Sequence, residues 1–399
     1  SRPSKVLTTG YGAGVRSQLA EKGVLDRVVD VGHNQVFQNA TAYTCLLSLN
    51  QMKHKQVRYM SIKPEDLTSS IIEDEVSDIK AFNGDIWMFV SKHTEDLLGK
   101  LKAESTRLLD IPVEMSRGSS SGADTIFCLS EVDGELVTRS GEPIEVEAGI
   151  LRKPLYATDF TRYWFRPKNN ERIIFPYIVN EDGYSLINEA MLKEQFPKAY
   201  RYLSSQRKAL EDRKQYKSWY GFSAPRNLHV HEHANLMVPL LADRGLCAPI
   251  EQNEKYCVMA SAGFSLRVAS TVSIDSNYLL GLINSKLLFW NLRLISNKFR
   301  GGWITCTKQY FGQLPIRNID FVDENDRSMH DQMIELAERM LTLNKQLIIG
   351  KSSHEKTMLQ RQIEATDSQI DKLVYDLYGL TDQEIGIVKG PRSGESQEA

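Results

Sequence analysis

The stretch Met329-His-Asp-Gln-Met-Ile-Glu-Leu-Ala-Glu-Arg-Met-Leu-Thr-Leu-Asn-Lys-Gln-Leu347 carries apolar side chains at alternating spacings of four and three residues. This spacing is typical of a long helix that packs along one face. Gly350-Lys-Ser-Ser353 interrupts the pattern, and a second apolar series follows over 359–377. The two series therefore predict an antiparallel helical hairpin. Thr381 and Glu384 have the spacing of a capping box, which predicts a final short helix.

The middle of the chain, 111–320, mixes short strands with helices, which predicts an α+β module. Strands are predicted at 125–129, 135–138, 172–176 and 256–259. The first two strands are joined at Asp133-Gly134, a hairpin signal. Pro197 suits the first turn of a helix that runs to about residue 213, and Ser276 is a candidate cap for another long helix.

The first sixty residues alternate helix and strand. A helix is predicted at 15–22 and strands at 25–31, 44–49 and 56–62, which is the pattern of the last part of an α/β sheet. From Pro64 to about Asp110 the sequence is polar and acidic. We interpret this part as a linker region that carries helices. The last ten residues are a polar tail.

Composition predicts an ordinary globular protein of two or three domains. The chain has 399 residues, of which 41% are hydrophobic and 25% charged, so disordered and fibrous classes are excluded. It contains no apolar run long enough for a membrane helix, and its first residues lack the pattern of a signal peptide. Five scattered cysteines without a CxxC pair indicate neither a zinc ribbon nor a disulfide framework. We therefore expect a soluble cytoplasmic protein with reduced thiols.

Charge is distributed unevenly along the chain, although the net charge is only -2. Residues 151–312 contain 23 Lys and Arg against 13 Asp and Glu, whereas 313–399 contain 10 against 16 and 111–150 contain 2 against 8. A basic middle between acidic flanks is what a polyanion-binding domain requires. Solvated protein surfaces produce similar clusters, so this alternative stays open.

The loop 296–310 combines cations, aromatics, hydroxyls and a Gly-Gly pair that allows close approach of the backbone to a ligand. Lys298, Arg300 and Lys308 are candidates to neutralise phosphates, and Thr305 is a candidate to read base edges. The loop is therefore a candidate DNA contact. The alternative is a plain surface loop.

Five further residues are DNA-contact candidates. Arg162 and Arg166 lie in an aromatic-rich stretch, and Arg207 and Lys208 belong to the basic helix that follows Pro197. The fifth is Arg226. Guanidinium groups bind phosphate through paired hydrogen bonds, but each of these cations is equally suited to a surface ion pair or a solvated face.

Two motifs have a functional and a structural interpretation. Thr9-Gly-Tyr-Gly-Ala-Gly14, with Asp30 downstream, resembles a cofactor loop, but the weak preceding strand favours a simple helix-entry turn. His229, His231 and His233 would share one face if they lay on a strand and could then approach a metal. No carboxylate or cysteine cluster accompanies them, so a histidine-covered surface is favoured. We assign no catalytic, cofactor-binding or metal-binding residue.

Several segments resemble, in the expected order, the TaqI-like target-recognition region of adenine-specific DNA methyltransferases, including type IIG restriction enzymes. The strongest are Tyr278-Leu-Leu-Gly-Leu-Ile-Asn-Ser-Lys-Leu288, Gln313-Leu-Pro-Ile316 and Val374-Tyr-Asp-Leu-Tyr-Gly-Leu380. Segments 150–163 and 173–177 resemble the opening of that recognition domain. Segments 12–19, 28–32 and 36–43 resemble the final helix and strands of the family's catalytic domain.

The chain also departs from that family's pattern. It contains neither Asn-Pro-Pro nor Asp-Pro-Pro, the motif that holds the flipped adenine. The usual Gly-x-Thr-Gly-x-Asn stretch is altered to Gly118-Ser-Ser-Ser-Gly-Ala123, which weakens the transfer of residue roles at that place.

The resemblance implies an α/β and α+β chain in five parts: the end of the methyltransferase domain (1–63), a helical linker region (64–110), a DNA target-recognition domain (111–320), the helical hairpin (321–389) and the tail (390–399). It implies recognition of double-stranded DNA for an adenine-specific methyltransferase of a restriction-modification system. S-adenosylmethionine would be the cofactor of the complete enzyme only. The implied partners are DNA, the remaining methyltransferase part and a nuclease domain or subunit, with no membrane. Two alternatives are a scaffold subunit of a restriction or phage-defence complex and a small enzyme that binds a nucleotide cofactor through residues 1–60.

Overall fold

The computed structural model describes residues 2–3, 6, 10–31, 44–54, 56–62, 75–78, 87, 90–251, 253–269, 273–297 and 302–390. Within these residues the chain is mixed α+β, with several small sheets and a pair of long C-terminal helices. The helices are α1 Ala13–Lys22, α2 Lys92–Ala103, α3 Asp124–Phe127, α4 Glu189–Gln195, α5 Pro197–Ser205, α6 Arg207–Glu211, α7 Leu228–Glu232, α8 Ser276–Asn284, α9 Lys286–Ile295, α10 Lys308–Phe311, α11 Glu324–Ile349, α12 Ser353–Leu377 and α13 Asp382–Lys389.

The two long helices form the predicted hairpin. Helix α11 begins where the Asp323 side chain accepts a hydrogen bond from the Asp326 backbone, and α12 begins with an equivalent cap from Ser352. Met333 and Met340 belong to the apolar series of 329–347 and are buried on the inner face of α11. The four-and-three spacing therefore predicted the packed face correctly. The capping box that begins α13 is also confirmed.

The N-terminal sheet contains the three predicted strands. Its order is Arg2–Pro3, Thr44–Leu49, Leu25–Asp30, Gln56–Ser61 and Glu75–Asp78. The Leu25–Asp30 and Gln56–Ser61 strands run parallel, and the other neighbours are antiparallel. The Glu75–Asp78 strand lies within 64–110, where only helices were expected.

The middle of the chain forms two lobes around separate apolar cores. The six-stranded lobe contains helices α4 to α6 and a sheet in the order Pro143–Ile144, Glu135–Val137, Cys128–Val132, Glu171–Ile174, Leu151–Leu155, Tyr256–Val258. The four-stranded lobe contains α8, α9 and a sheet in the order Ala248–Pro249, Leu236–Val238, Phe264–Val268, Val113–Arg117. The hairpin packs into the core of the four-stranded lobe.

Four two-stranded ribbons complete the sheets. They pair Phe160–Thr161 with Trp164–Phe165, Tyr177–Val179 with Tyr184–Leu186, Leu241–Ala242 with Ile304–Thr305, and Pro315–Arg317 with Ser105–Arg107. The last ribbon and α2 attach the segment before residue 111 to the region that precedes the hairpin. None of the described helices is both long and apolar enough to cross a membrane.

Some local predictions were wrong. The predicted strand at 125–129 starts as helix α3 because the amides of Ile126 and Phe127 both bond to the Ala123 carbonyl. The predicted helix at 197–213 is divided at Gln206. The helix from 276 is capped by Asp275 rather than by Ser276.

That same helix was also expected to continue without a break, but it ends at Asn284. The Asn284 side chain bonds to both the amide and the carbonyl of Cys247, at 2.8 and 3.0 Å. Ser285 then caps α9 by accepting a hydrogen bond from Leu288. The break follows from tertiary hydrogen bonds, which periodicity does not contain.

Candidate nucleic-acid interface

The two lobes meet at residues 117–122, which we call the junction segment. The Ser119 amide bonds to the Val258 carbonyl at 2.7 Å, and the Ser119 carbonyl accepts from Ala260 at 2.7 Å. Ser120 and Ala224 exchange two backbone hydrogen bonds, at 2.9 and 3.0 Å. The junction segment is therefore held on both sides by main-chain hydrogen bonds.

Position 118 of this segment can be occupied only by glycine without a collision. A Cβ atom on Gly118 would collide with the Met259 carbonyl, which is backbone and cannot rotate away. The glycine therefore permits the close approach that joins the lobes. This role explains why the glycine is present although the surrounding Gly-x-Thr-Gly-x-Asn pattern is altered.

Two arginines, which we call the arginine pair, lie at the junction segment: Arg117 is its first residue, and Arg226 contacts it. Arg226 has a backbone φ of 58°, and its guanidinium donates a hydrogen bond to the Gly118 carbonyl. Burial lowers the pKa of Arg226, and the neighbouring charge of Arg117 lowers that pKa further. Arg117 is exposed. Neither arginine forms an ion pair with any of the described residues, so no carboxylate among them neutralises either charge.

Helix α7 contributes histidines beside this arginine pair. His231 is buried, with its Nδ1 2.6 Å from the Ser265 hydroxyl, and burial lowers the pKa of His231 to about 4. This ring is therefore neutral at neutral pH. Because α7 is a helix, His229, His231 and His233 do not share one face as they would on a strand. The described residues contain no group of three or more potential metal ligands.

A basic segment is attached to the same junction. Arg213 donates to the carbonyls of Leu210, Ser121, Gly221 and Trp219 at 2.6–2.8 Å, so it fixes the loop that follows α6. The lysines of this loop at 214 and 217 are exposed. The bond to Ser121 connects the loop directly to the junction segment.

The two site candidates on α6 differ in their surroundings. Arg207 donates to Glu211 at 2.8 Å and lies 4.9 Å from the centroid of the Trp219 ring. Lys208 is exposed and has no side-chain partner among the described residues. Of the two cations, Lys208 is therefore the one whose charged group is available to bind an anion.

Arg162 is held by the protein itself. Its guanidinium donates to the Asn284 carbonyl at 2.6 Å and to the Asp367 carboxylate of α12. Arg166, four residues later, is exposed and forms no ion pair with the described residues. Both candidates lie next to the hairpin, because Arg162 contacts α12 and Arg166 lines a groove together with Lys345 of α11.

The predicted loop 296–310 is described in part. Lys298 and Arg300 lie outside the described residues. Thr305 belongs to the ribbon with Leu241–Ala242, and its side chain lies 3.0 Å from the Ser296 hydroxyl. Lys308 begins α10 and is exposed. The two described candidates of this loop, Thr305 and Lys308, thus lie on the four-stranded lobe.

The glycine turn at 10–14 is packed against the chain. A Cβ atom on Gly12 would overlap the Val6 carbonyl, and the Arg16 guanidinium donates to that carbonyl at 2.7 Å. The turn leads directly into α1. This packing favours the helix-entry interpretation.

Sequence reasoning missed Arg117 as a site residue. Arg117 lies immediately before the altered glycine stretch. The composition of that stretch predicts turns and gives no sign of a charged site. The proximity of Arg117 to Arg226 arises only when the junction segment brings two distant parts of the sequence together. No local spacing reports such a pair.

Comparison with known proteins gives a similarity to a restriction-modification enzyme. The chain is 24% identical over 412 aligned residues to the type II restriction enzyme and methyltransferase RM.Eco57I of Escherichia coli, and the alignment covers 95% of this chain. The chain spans 40% of the length of that relative. No protein-family model matches the chain. The similarity relates this chain to restriction-modification methyltransferases.

Proposed function

We propose, from that similarity and from the arginine pair, that this chain recognises the double-stranded target of an adenine-specific DNA methyltransferase in a restriction-modification system. In this proposal 111–320 is the recognition domain, 1–63 closes the methyltransferase domain, 64–110 links them and 321–389 is the supporting hairpin. The complete enzyme uses S-adenosylmethionine and acts in the cytoplasm, with a methyltransferase part and a nuclease as its partners.

The observation that carries the proposal is the pair Arg117 and Arg226. The Arg226 guanidinium is bound to the carbonyl of Gly118, the residue after Arg117, so two cations without an ion-pair partner among the described residues belong to one segment. Like charges disfavour each other, and burial of Arg226 increases that cost. An anion placed between them removes the repulsion and forms charge-assisted hydrogen bonds. DNA phosphate is such an anion, and the surrounding 151–312 region is basic.

In this proposal the chain binds DNA through two kinds of contact, one to phosphates and one to bases. Cations such as Lys208 and Arg117 neutralise phosphates, which sets affinity and makes it dependent on salt. Polar side chains that reach base edges supply sequence choice, at about 1–3 kcal/mol for each bidentate contact. Thr305 is our candidate for the second kind. The adenine-specific chemistry itself is assigned to the rest of the enzyme, where the base is flipped out of the stack.

The test is a titration of fluorescent duplex DNA with this chain, followed by fluorescence anisotropy at several salt concentrations. A mixed-sequence duplex is sufficient, because non-specific binding reports phosphate contacts with dissociation constants of about 10⁻⁴–10⁻⁶ M. Arg117→Ala should reduce the slope of log affinity against log salt by about 0.9. Arg226→Ala should do the same, whereas Arg226→Lys should retain most of the slope because the charge remains.

The matched control is Lys92→Ala with Arg107→Ala. Both cations are exposed and both are ion-paired, to Glu95 and Asp110 respectively. Their loss should leave the slope unchanged. A wild-type chain without salt-dependent binding would refute the proposed function. Normal binding with unchanged slopes in the arginine variants would refute the assignment of the arginine pair.

A further inference from the structure

The end of the hairpin has a charge opposite to that of its stem. Residues 345–361, which we call the hairpin tip, contain four Lys and Arg and one Glu, whereas the rest of 313–399 contains six against fifteen. The four cations are Lys345, Lys351, Lys356 and Arg361. All are exposed, and none forms an ion pair with the described residues. The acidic average of the C-terminal region therefore conceals a basic end.

The single acid of the tip does not neutralise these cations. The Glu355 carboxylate accepts a hydrogen bond from the Lys351 backbone amide at 3.2 Å, at the start of α12. It thus binds the backbone just before the N-cap Ser352 and not a lysine side chain. The side-chain ammonium groups of the tip stay available.

The tip also presents apolar side chains to solvent. Ile348, Ile349 and Met358 are 42, 66 and 49% exposed. Within helices α11 and α12 the large apolar side chains that are most exposed are these three. Exposed apolar residues grouped on one surface are typical of a binding site.

A groove of about 470 Å³ lies between the tip and the turn 164–167. Lys345 and Ile348 line it from α11, and Trp164 and Arg166 line it from the opposite side. Two unpaired cations therefore line one groove, with Glu251 as the acid on its wall.

We propose that the hairpin tip and the turn 164–167 form a second anion-binding surface, which holds the phosphate backbone of duplex DNA away from the junction segment. This inference rests on the proposed function and extends it to the hairpin. Unpaired cations on both walls of the groove match phosphates, which accept charge-assisted hydrogen bonds from Arg and Lys. Exposed isoleucines are compatible with contact to deoxyribose. A protein partner is the competing occupant and is an outcome of the test.

The first measurement compares Arg166→Ala/Lys345→Ala with the wild type and with the Lys92→Ala/Arg107→Ala control. A duplex of about 40 base pairs gives room for contacts at both surfaces, and loss of two phosphate contacts should reduce the salt slope by about 1.8. Both side chains are exposed, so thermal unfolding should be unchanged. An unchanged slope, in a chain whose Arg117→Ala variant does lose slope, would overturn this inference and leave the proposed function intact. A wild-type chain that fails to bind DNA would overturn both.

The second measurement places a label at the tip by Ile348→Cys. The five native cysteines are buried, and burial raises the pKa of Cys45 to about 11 and those of Cys128 and Cys306 to about 12, so a maleimide should select the new thiol. DNA at a concentration that saturates the chain should slow labelling of Cys at this position several-fold. Full labelling in the presence of bound DNA would overturn the inference. Protection by a protein from the same restriction-modification system, without protection by DNA, would assign the tip to a protein partner instead.

Discussion

Replacing Arg162 by alanine tests whether this arginine joins the hairpin to the lobes or contacts DNA. Its guanidinium binds the Asp367 carboxylate of α12 and the Asn284 carbonyl at the end of α8. Burial opposes the charged form of Arg162, but the hydrogen bond that Arg162 donates to Asp367 keeps the pKa of Arg162 above its ordinary value. The pair thus connects two elements far apart in the sequence.

The expected loss follows from burial. Removing one partner of a fully buried ion pair costs about 3–5 kcal/mol, because the remaining charge is left without compensation. The side chains of Arg162 and Asp367 are 21 and 22% exposed, so water partly solvates the carboxylate that remains. We therefore expect Arg162→Ala to lower the free energy of unfolding by about 2–3 kcal/mol.

Urea unfolding of Arg162→Ala, Asp367→Ala and the double variant measures the interaction directly. The coupling energy should be about 1–2 kcal/mol, whereas the exposed pair Arg207 and Glu211 should give about 0.3–0.5 kcal/mol. A coupling energy near zero would refute the structural role of Arg162. Unchanged stability together with a reduced DNA salt slope would instead assign Arg162 to DNA.

Three further predictions concern the lobes and the C-terminus. The pKa of His231 falls from 6.5 to about 4 in the folded chain, so stability is complete above about pH 6.5 and is lost as pH falls towards 4. Between pH 7 and pH 4.5 this group should cost about 2.5 kcal/mol in urea unfolding, and His231→Gln should remove that dependence. Gly118→Ala should destabilise the chain by about 3 kcal/mol, since the new methyl meets backbone; a melting temperature equal to that of wild type would contradict the close approach. Thr381→Ala should cost about 1 kcal/mol and increase amide exchange in α13, and unaltered exchange there would show that the cap is not needed.

Local patterns predicted much of the secondary structure. The spacing of Met333 and Met340 predicted which face of α11 is buried, and the Thr381 capping box predicted where α13 begins. The three N-terminal strands were also predicted, because β-branched runs bounded by turns carry their own signal. In these elements the information lies within a few residues of the chain.

Features created by tertiary contacts could not be predicted in this way. The break at Asn284 depends on hydrogen bonds to Cys247, and the early helical turn of α3 depends on the Ala123 carbonyl. The pairing of Arg117 with Arg226 similarly requires two segments that periodicity treats as independent. The charge count identified the basic middle of the chain but not which cations are already neutralised, as Arg162 is.

The reciprocal hydrogen bonds between Ser120 and Ala224 hold together two points, one before and one after most of the residues of the six-stranded lobe. The polypeptide enters it and leaves it at neighbouring points, and the strand Tyr256–Val258 is the one strand of its sheet supplied after the exit. A segment with adjacent ends can be exchanged for another more readily than one whose ends lie far apart. Residues 121–223 also contact the rest of the chain, because Tyr163 is buried in the core of the four-stranded lobe and Arg162 binds Asn284 and Asp367. An exchange of this segment therefore has to keep the turn around Arg162 as well as a sheet edge that accepts the strand Tyr256–Val258.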